Sequence, residues 1–170
     1  MNLTQKLVAA AALCMMSAVS FAEGKIAVIN PEGAILSTAV AKAKFDKLEK
    51  TPDYAATKAK LDGISSDIKN LQEGYKKDGM TWSPEKKEES EKKMQSLTQD
   101  YQFNLKKLQT SRQEIAQAVG EELGQKYQAA LKQVVDTDKI GLLLSPQAVL
   151  FATPDYDITA KVTDLINKAK

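Results

Sequence analysis

The chain has 170 residues, with 24 Lys plus Arg against 22 Asp plus Glu, no His and a single Cys, for a formal net charge of +2. So even a balance gives no electrostatic reason to expect a nucleic-acid partner. Apart from Cys14 near the start, no thiol or imidazole is available, which excludes a structural disulfide, Ser-His-Asp or Cys-His catalysis, and imidazole-bound zinc or copper.

Residues 1–22 read as an export signal. Lys6 is the basic start, Leu7 to Val19 is an apolar run too short to span as a mature helix, and Ser20-Phe21-Ala22 ends in a small-residue cleavage site, so the chain is expected to be cut between Ala22 and Glu23. Cys14 lies in the apolar run, but Leu13 and Ala11 reverse the order that lipid attachment requires, so no lipid anchor is assigned. Removing 22 residues from 170 leaves 148, and the loss of Lys6 lowers the charge from +2 to about +1. An export signal on a disulfide-free chain suits a bacterial periplasm.

Lys25-Ile26-Ala27-Val28-Ile29 reads as a strand and residues 34–49 as a helix, with Ile35, Leu36, Ala39, Phe45 and Leu48 on one broad side. Thr51-Pro52-Asp53 then has the pattern of a helix start: a hydroxyl to cap, proline at the first helical position and an acid at the positive dipole end. Over 53–78, Tyr54, Leu61, Ile64, Ile68, Leu71 and Tyr75 step by 7, 3, 4, 3 and 4, a single coiled-coil seam. The chain reverses at Lys77 to Ser83, and Ser83-Pro84-Glu85 repeats the start pattern. No proline interrupts residues 85–145, so one long helix over 84–136 is expected, its seam running from Met94 through Tyr101, Leu108, Ile115 and Leu123 to Leu131. Ile140 to Leu144 and Ala148 to Ala152 read as two further strands around a turn at Ser145-Pro146-Gln147, and both parities of all three strand runs are apolar, as in strands covered on both faces. Thr153-Pro154-Asp155 gives a third helix start, before an amphipathic end with Ile158, Val162, Leu165 and Ile166. The string TPDY at 51–54 and 153–156 is shared capping chemistry and not duplication.

Lengths indicate how the helices pair. At 1.5 Å per residue, 84–136 spans roughly 80 Å, against roughly 39 Å for 53–78 and 24 Å for 34–49, so the first two placed end to end nearly match the third. The expected fold is mainly α with a small β body: a long antiparallel helical-hairpin arm (51–136, tip about 77–84) on a three-stranded base formed by 23–50 and 137–170. Such a base in one copy has open edges and apolar faces, so it is expected to oligomerise.

The start Lys25-Ile26-Ala27-Val28-Ile29-Asn30, the charged hairpin, the ending Asp138-Lys139-Ile140 through Val149-Leu150-Phe151 and the stretch Asp157-Ile158-Thr159-Ala160 before the last helix resemble the Skp/OmpH-like family of periplasmic chaperones. The resemblance implies a jellyfish-like homotrimer whose strands form a central body and whose arms enclose a cavity. Members of that family hold unfolded outer-membrane β-barrel proteins there without ATP. A holder of such clients needs diffuse apolar contact and no stereospecific pocket. No Walker-type phosphate loop is present, and no cofactor, metal or catalytic residue is assigned. The other reading of the same elements is a periplasmic coiled-coil adaptor that binds one folded partner.

Tyr75, Met80 and Trp82 at the turn are the candidate client contacts. Trp82 reads either as a tip contact for an apolar client segment or membrane surface, or as a lid closing the arm end over Tyr75 and Met80; closure is favoured. Gly63, Gly74, Gly120 and Gly124 fall inside predicted helices, each costing about 1 kcal/mol relative to Ala. They are hinge candidates, set against close helix approach or local fraying. The tip charges are mixed, with Glu88–Lys92 and Glu89–Lys93 placed to pair, so a solvated face is expected and no lipopolysaccharide site is carried over from the family.

Overall fold

The computed structural model describes residues 24–169; the expected cleavage site at Ala22 and Glu23, and Cys14, lie outside them. In chain order the elements are β1 (Lys25–Val28), α1 (Pro31–Leu36), α2 (Ala39–Glu49), α3 (Pro52–Asp78), α4 (Pro84–Asp138), β2 (Ile140–Leu144) and α5 (Thr159–Lys168). Short 3-10 turns lie at Gly79–Thr81, Pro146–Ala148 and Pro154–Tyr156. The architecture is mainly helical with a two-stranded sheet.

The single helix expected over 34–49 is two. Asn30 caps α1 by accepting a hydrogen bond from the Gly33 amide at 2.9 Å, so the helix begins at Pro31. It ends because Thr38, fully buried, takes over locally: its hydroxyl donates to the Ile35 carbonyl at 2.8 Å and accepts from the Ala41 amide at 3.2 Å, closing α1 and opening α2. Ser83 caps α4 as expected, accepting from the Lys86 amide at 3.3 Å. Thr51 does not cap α3, since its hydroxyl donates back to the Leu48 carbonyl at 2.7 Å. At Thr153-Pro154-Asp155 the expected helix is only one 3-10 turn. There the chain must first bring Asp157 beside β1, where the Ile158 amide donates to the Val28 carbonyl at 3.0 Å, and α5 starts after that.

β1 and β2 are parallel, with Ile26 opposite Leu142 and Val28 opposite Leu144, and the whole arm forms the crossover between them. At the start of the pair Gly24 and Gly141 meet backbone to backbone: a Cβ on Gly141 would lie 2.8 Å from the Gly24 Cα. The third expected strand, Ala148 to Ala152, does not form. β1 gives one edge to β2 and touches residue 157 through a single bridge on the other, and residues 148–152 pair with neither strand. One face of the sheet is packed on the core, with Ala27 buried, while on the opposite face Ile26 and Leu142 are about half exposed.

The core sits where the last third of α4 meets everything else. Val119, Leu123, Tyr127, Ala130 and Val134 line up at helical spacing against Ala27 and Ile29, Ala34 of α1, Ala41 of α2, and Ile158, Val162 and Ile166 of α5. Burial pushes the Tyr127 phenol's pKa up. Polar groups of α5 satisfy the N-terminal backbone: Thr159 Oγ1 accepts from the Asn30 amide at 3.0 Å, Asn167 from Ala39 at 2.9 Å, and the Thr163 hydroxyl donates to the Ala34 carbonyl at 2.9 Å. Thus the two chain ends build one base. Beyond it α3 and α4 run antiparallel, held by one seam, with Asp53 paired to Lys107 at 2.8 Å. None of the described helices is long and apolar enough to cross a membrane.

Candidate functional site

The arm end is built on a glycine. Gly79 is buried beneath Tyr75, and a Cβ there would lie 3.3 Å from the ring, so a larger residue would require the tyrosine to shift by a few tenths of an ångström. With Tyr75 seated, Trp82 meets it edge to face, ring centroids 5.6 Å apart and planes at 86°. The Lys86 ammonium lies over the Trp82 ring, 4.8 Å from its centre. Trp82 is therefore a half-buried closing residue, while Met80 is 98% exposed and packs on nothing. Trp82 thus packs on Tyr75 and not on Met80. At the same turn the backbone amides of the helix start and Ser83 hold the Glu85 carboxyl below its ordinary pKa.

Just inside the tip the seam opens. Leu71, Tyr75 and Met94 face Ser90, whose small side chain cannot fill the space, and an open cleft of about 490 Å³ results, edged by Lys76 and Glu91. Farther along the arm Phe103 points outward, 69% exposed. A second apolar surface lies at the base. Ile26, Leu142 and Tyr156 are about half exposed and Leu150 and Phe151 almost wholly so; Ile26, Phe151 and Tyr156 border a groove of about 280 Å³ with Val28 and Leu144.

The four glycines lie within unbroken helices α3 and α4. A Cβ at Gly63, Gly120 or Gly124 would meet nothing within 4 Å, and at Gly74 only the Trp82 ring at 3.9 Å. Close helix approach is therefore not the reason for glycine at any of them. Of the two charge pairs expected near the tip, Glu88–Lys92 forms at 2.6 Å and Glu89–Lys93 does not. Among the described residues no cluster of three or more His, Cys, Asp or Glu is arranged to hold a metal ion.

Two features escaped sequence reasoning. Thr57 and Asn104 are buried in the seam, a polar layer hidden from a search that counted only apolar positions; the Asn104 amide donates to the Asp100 carbonyl at 2.6 Å and the Thr57 hydroxyl to Asp53 at 2.7 Å. The second is Arg112, the one arginine of the chain, which gathers Glu49 and Phe45 around it. Its being the sole arginine among 24 basic residues was the signal available.

A family model described as "Outer membrane protein (OmpH-like)" matches residues 25–166, which takes in both the base and the arm. A Skp-like protein from Pseudomonas aeruginosa is 28% identical over 159 residues, covering 94% of each chain. A solved structure of an outer membrane chaperone (OmpH-like) from Caulobacter crescentus aligns over 84% of this chain and 83% of its own, at 21% identity and a TM-score of 0.45.

Proposed function

The chain belongs to the OmpH-like outer membrane protein family, and from that membership and its two apolar surfaces we propose that it is an ATP-independent periplasmic holdase. It takes unfolded outer-membrane β-barrel proteins into a space between helical arms and keeps them from aggregating. The observation that carries this reading is the division of labour along the chain: a base whose apolar strand face is uncovered in one copy, and an arm whose single seam leaves apolar groups within reach of solvent.

Copies of the chain pair at the base, as a homotrimer. Leu150 and Phe151, with the open edge of the sheet, supply the strand and the apolar face that a neighbouring copy needs, so 148–152 becomes a strand on assembly. The domains follow: base from 23–50 and 137–170, arm from 51–136. Within the arm the exposed Met80, the half-exposed Tyr75 edge of the cleft and the partly covered Trp82 offer plural weak contacts. An unfolded barrel protein presents apolar side chains at alternate positions, which such dispersed contacts suit better than one pocket would. Release then needs no chemical cycle. The expected localisation, with the signal removed after Ala22, is the periplasm, and arm tips are the part of the molecule placed to touch a membrane surface.

The test is dilution of a urea-unfolded outer-membrane β-barrel into buffer without ATP. Suppressed aggregation at about one trimer per client supports the holdase. No suppression, with retention of a single native partner at fixed stoichiometry, would make the protein an adaptor instead. A native mass of three mature chains checks the assembly, and any other number removes the trimer.

A further inference from the structure

The arm joins the base asymmetrically. α4 runs unbroken through both, 55 residues from Pro84 to Asp138, whereas the returning limb is cut between α2 and α3 at Lys50–Thr51. No side-chain cap closes the start of α3; the Thr51 amide and hydroxyl bond back to the Leu48 carbonyl, and side chains of α4 grip the break from both sides. On one side of it Arg112 Nη1 donates to Glu49 Oε1 at 2.8 Å, and the same guanidinium lies 5.0 Å from the centre of the Phe45 ring. On the other side Lys107 pairs with Asp53 at 2.8 Å, and the buried Tyr54 stands beside Arg112, where its hydroxyl and the Glu49 carboxylate raise the guanidinium's pKa.

Lysine serves every other basic position of the chain; arginine occurs only here. A planar guanidinium stacks on an aromatic ring and donates in its own plane to a carboxylate at the same time, which an ammonium cannot do. We infer that Arg112 is a positioning residue for client holding: by clasping Phe45 and Glu49 against α4 beside the α2–α3 break, it fixes the angle at which the arm leaves the base and so the width of the space between arms. This rests on the holdase reading for its functional half. Its structural half stands on the contacts alone.

The mature chain has no cysteine of its own, so Asp67→Cys on α3 and Asp164→Cys on α5, both exposed, give a unique pair of spin labels spanning the joint. Labelled copies diluted among unlabelled ones report one arm at a time. In Arg112→Met the share of arms outside the main distance is expected to rise about two- to thirty-fold, the range that follows from losing an exposed ion pair and a cation–π contact. Arg112→Lys is expected to fall between parent and Met, and high salt to move the parent in the same direction. Glu49→Gln loosens the clasp from the other partner should the Met variant fail to fold. Unchanged distances in the Met and Gln variants overturn the clasp, and a lysine variant equal to the parent overturns the role of the guanidinium. With unfolded barrels of increasing size, Arg112→Met is expected to change the ratio of large to small clients retained. Broadened distances with an unchanged ratio overturn the positioning role. A parent that holds no client refutes the holdase reading, and the distances still decide the clasp.

Discussion

Two glycine-to-alanine substitutions are expected to act in opposite directions, and the structure sets both signs. At Gly141 the added Cβ would lie 2.8 Å from the Gly24 Cα and 3.3 Å from its carbonyl carbon. Ordinary carbon contacts are about 3.5–4.0 Å, so the strands must part by roughly 0.7 Å, and what obstructs is backbone, with no side chain to swing away. The nearby bond from the Lys25 amide to the Lys139 carbonyl, 3.0 Å in the native pair, would stretch towards its limit. Overpacking of about 1–3 kcal/mol together with a weakened hydrogen bond of about 1 kcal/mol gives a loss of roughly 2–4 kcal/mol. For a chain of this size that lowers Tm by about 4–15 °C. At Gly63 a Cβ meets open space inside α3, so alanine is expected to add about 1 kcal/mol and raise Tm by a few degrees. Both melts are compared at one protein concentration, because assembly makes Tm depend on it. A Gly141→Ala variant melting with the parent would refute the close approach of β1 and β2, and a Gly63→Ala variant melting lower would refute the open space on α3.

Trp82→Ala removes the edge-to-face contact with Tyr75, worth about 0.5–1.5 kcal/mol beyond its buried area, so tip amides are expected to exchange faster; client affinity unchanged alongside that loss would leave Trp82 a lid and nothing more. Alanine at Gly63, Gly74, Gly120 and Gly124 together is expected to narrow the spread of arm distances, and an unchanged spread with an unchanged range of client sizes would refute bending through glycine. Without histidine the chain is expected to hold constant stability from about pH 5.5 to 8. Below that range Glu85 matters: its folded pKa is depressed, so its contribution at the α4 start is complete above the ordinary 4.5 and lost as pH falls through the lower folded value. A lower protection factor at the Glu85 amide in acid checks it; protection that persists to pH 2 would remove the Glu85 carboxylate from the helix start.

Period and length made the arm legible. Residues 84–136 and 53–78 carried apolar groups at three- and four-residue steps with proline only at their starts, and the helices run from Pro84 to Asp138 and from Pro52 to Asp78. Local polar competition was harder to read: Thr38 looks like an interior helix residue until its hydroxyl is seen bonding both ways and cutting the helix in two. The missing strand at 148–152 has a different cause. Apolarity describes what a segment can do when it meets a partner edge, and within one chain this segment pairs with neither strand, so Leu150 and Phe151 stay in solvent. A strand propensity left unmet by the chain's own sheet is the ground on which a second copy is proposed. Sequence pattern alone could not separate the two situations because the hydrogen-bonding partner is not local.

The arm's contact residues were less legible than its helices for a related reason. Met80 and Trp82 sit two positions apart in one turn and are both apolar, yet one is 98% exposed and the other is half covered by Tyr75 and Lys86. What separates them is Gly79, which admits the Tyr75 ring to the inside of the turn and so gives Trp82, but not Met80, something to pack on. Arg112 illustrates the converse. Its neighbours in sequence are polar and its position on α4 is unremarkable, and its meaning comes from Phe45 and Glu49, more than sixty residues away, meeting it at a break in the returning limb. Composition still held a trace of this, since a chain that uses lysine everywhere else has placed its only guanidinium where planarity matters. The same logic ranks the arm's surfaces for client contact. Residues already engaged in closing the tip have less free apolar surface to offer than Met80, Phe103 and the cleft at Leu71 and Met94, so substitutions at the latter should cost holding with the least cost in arm stability.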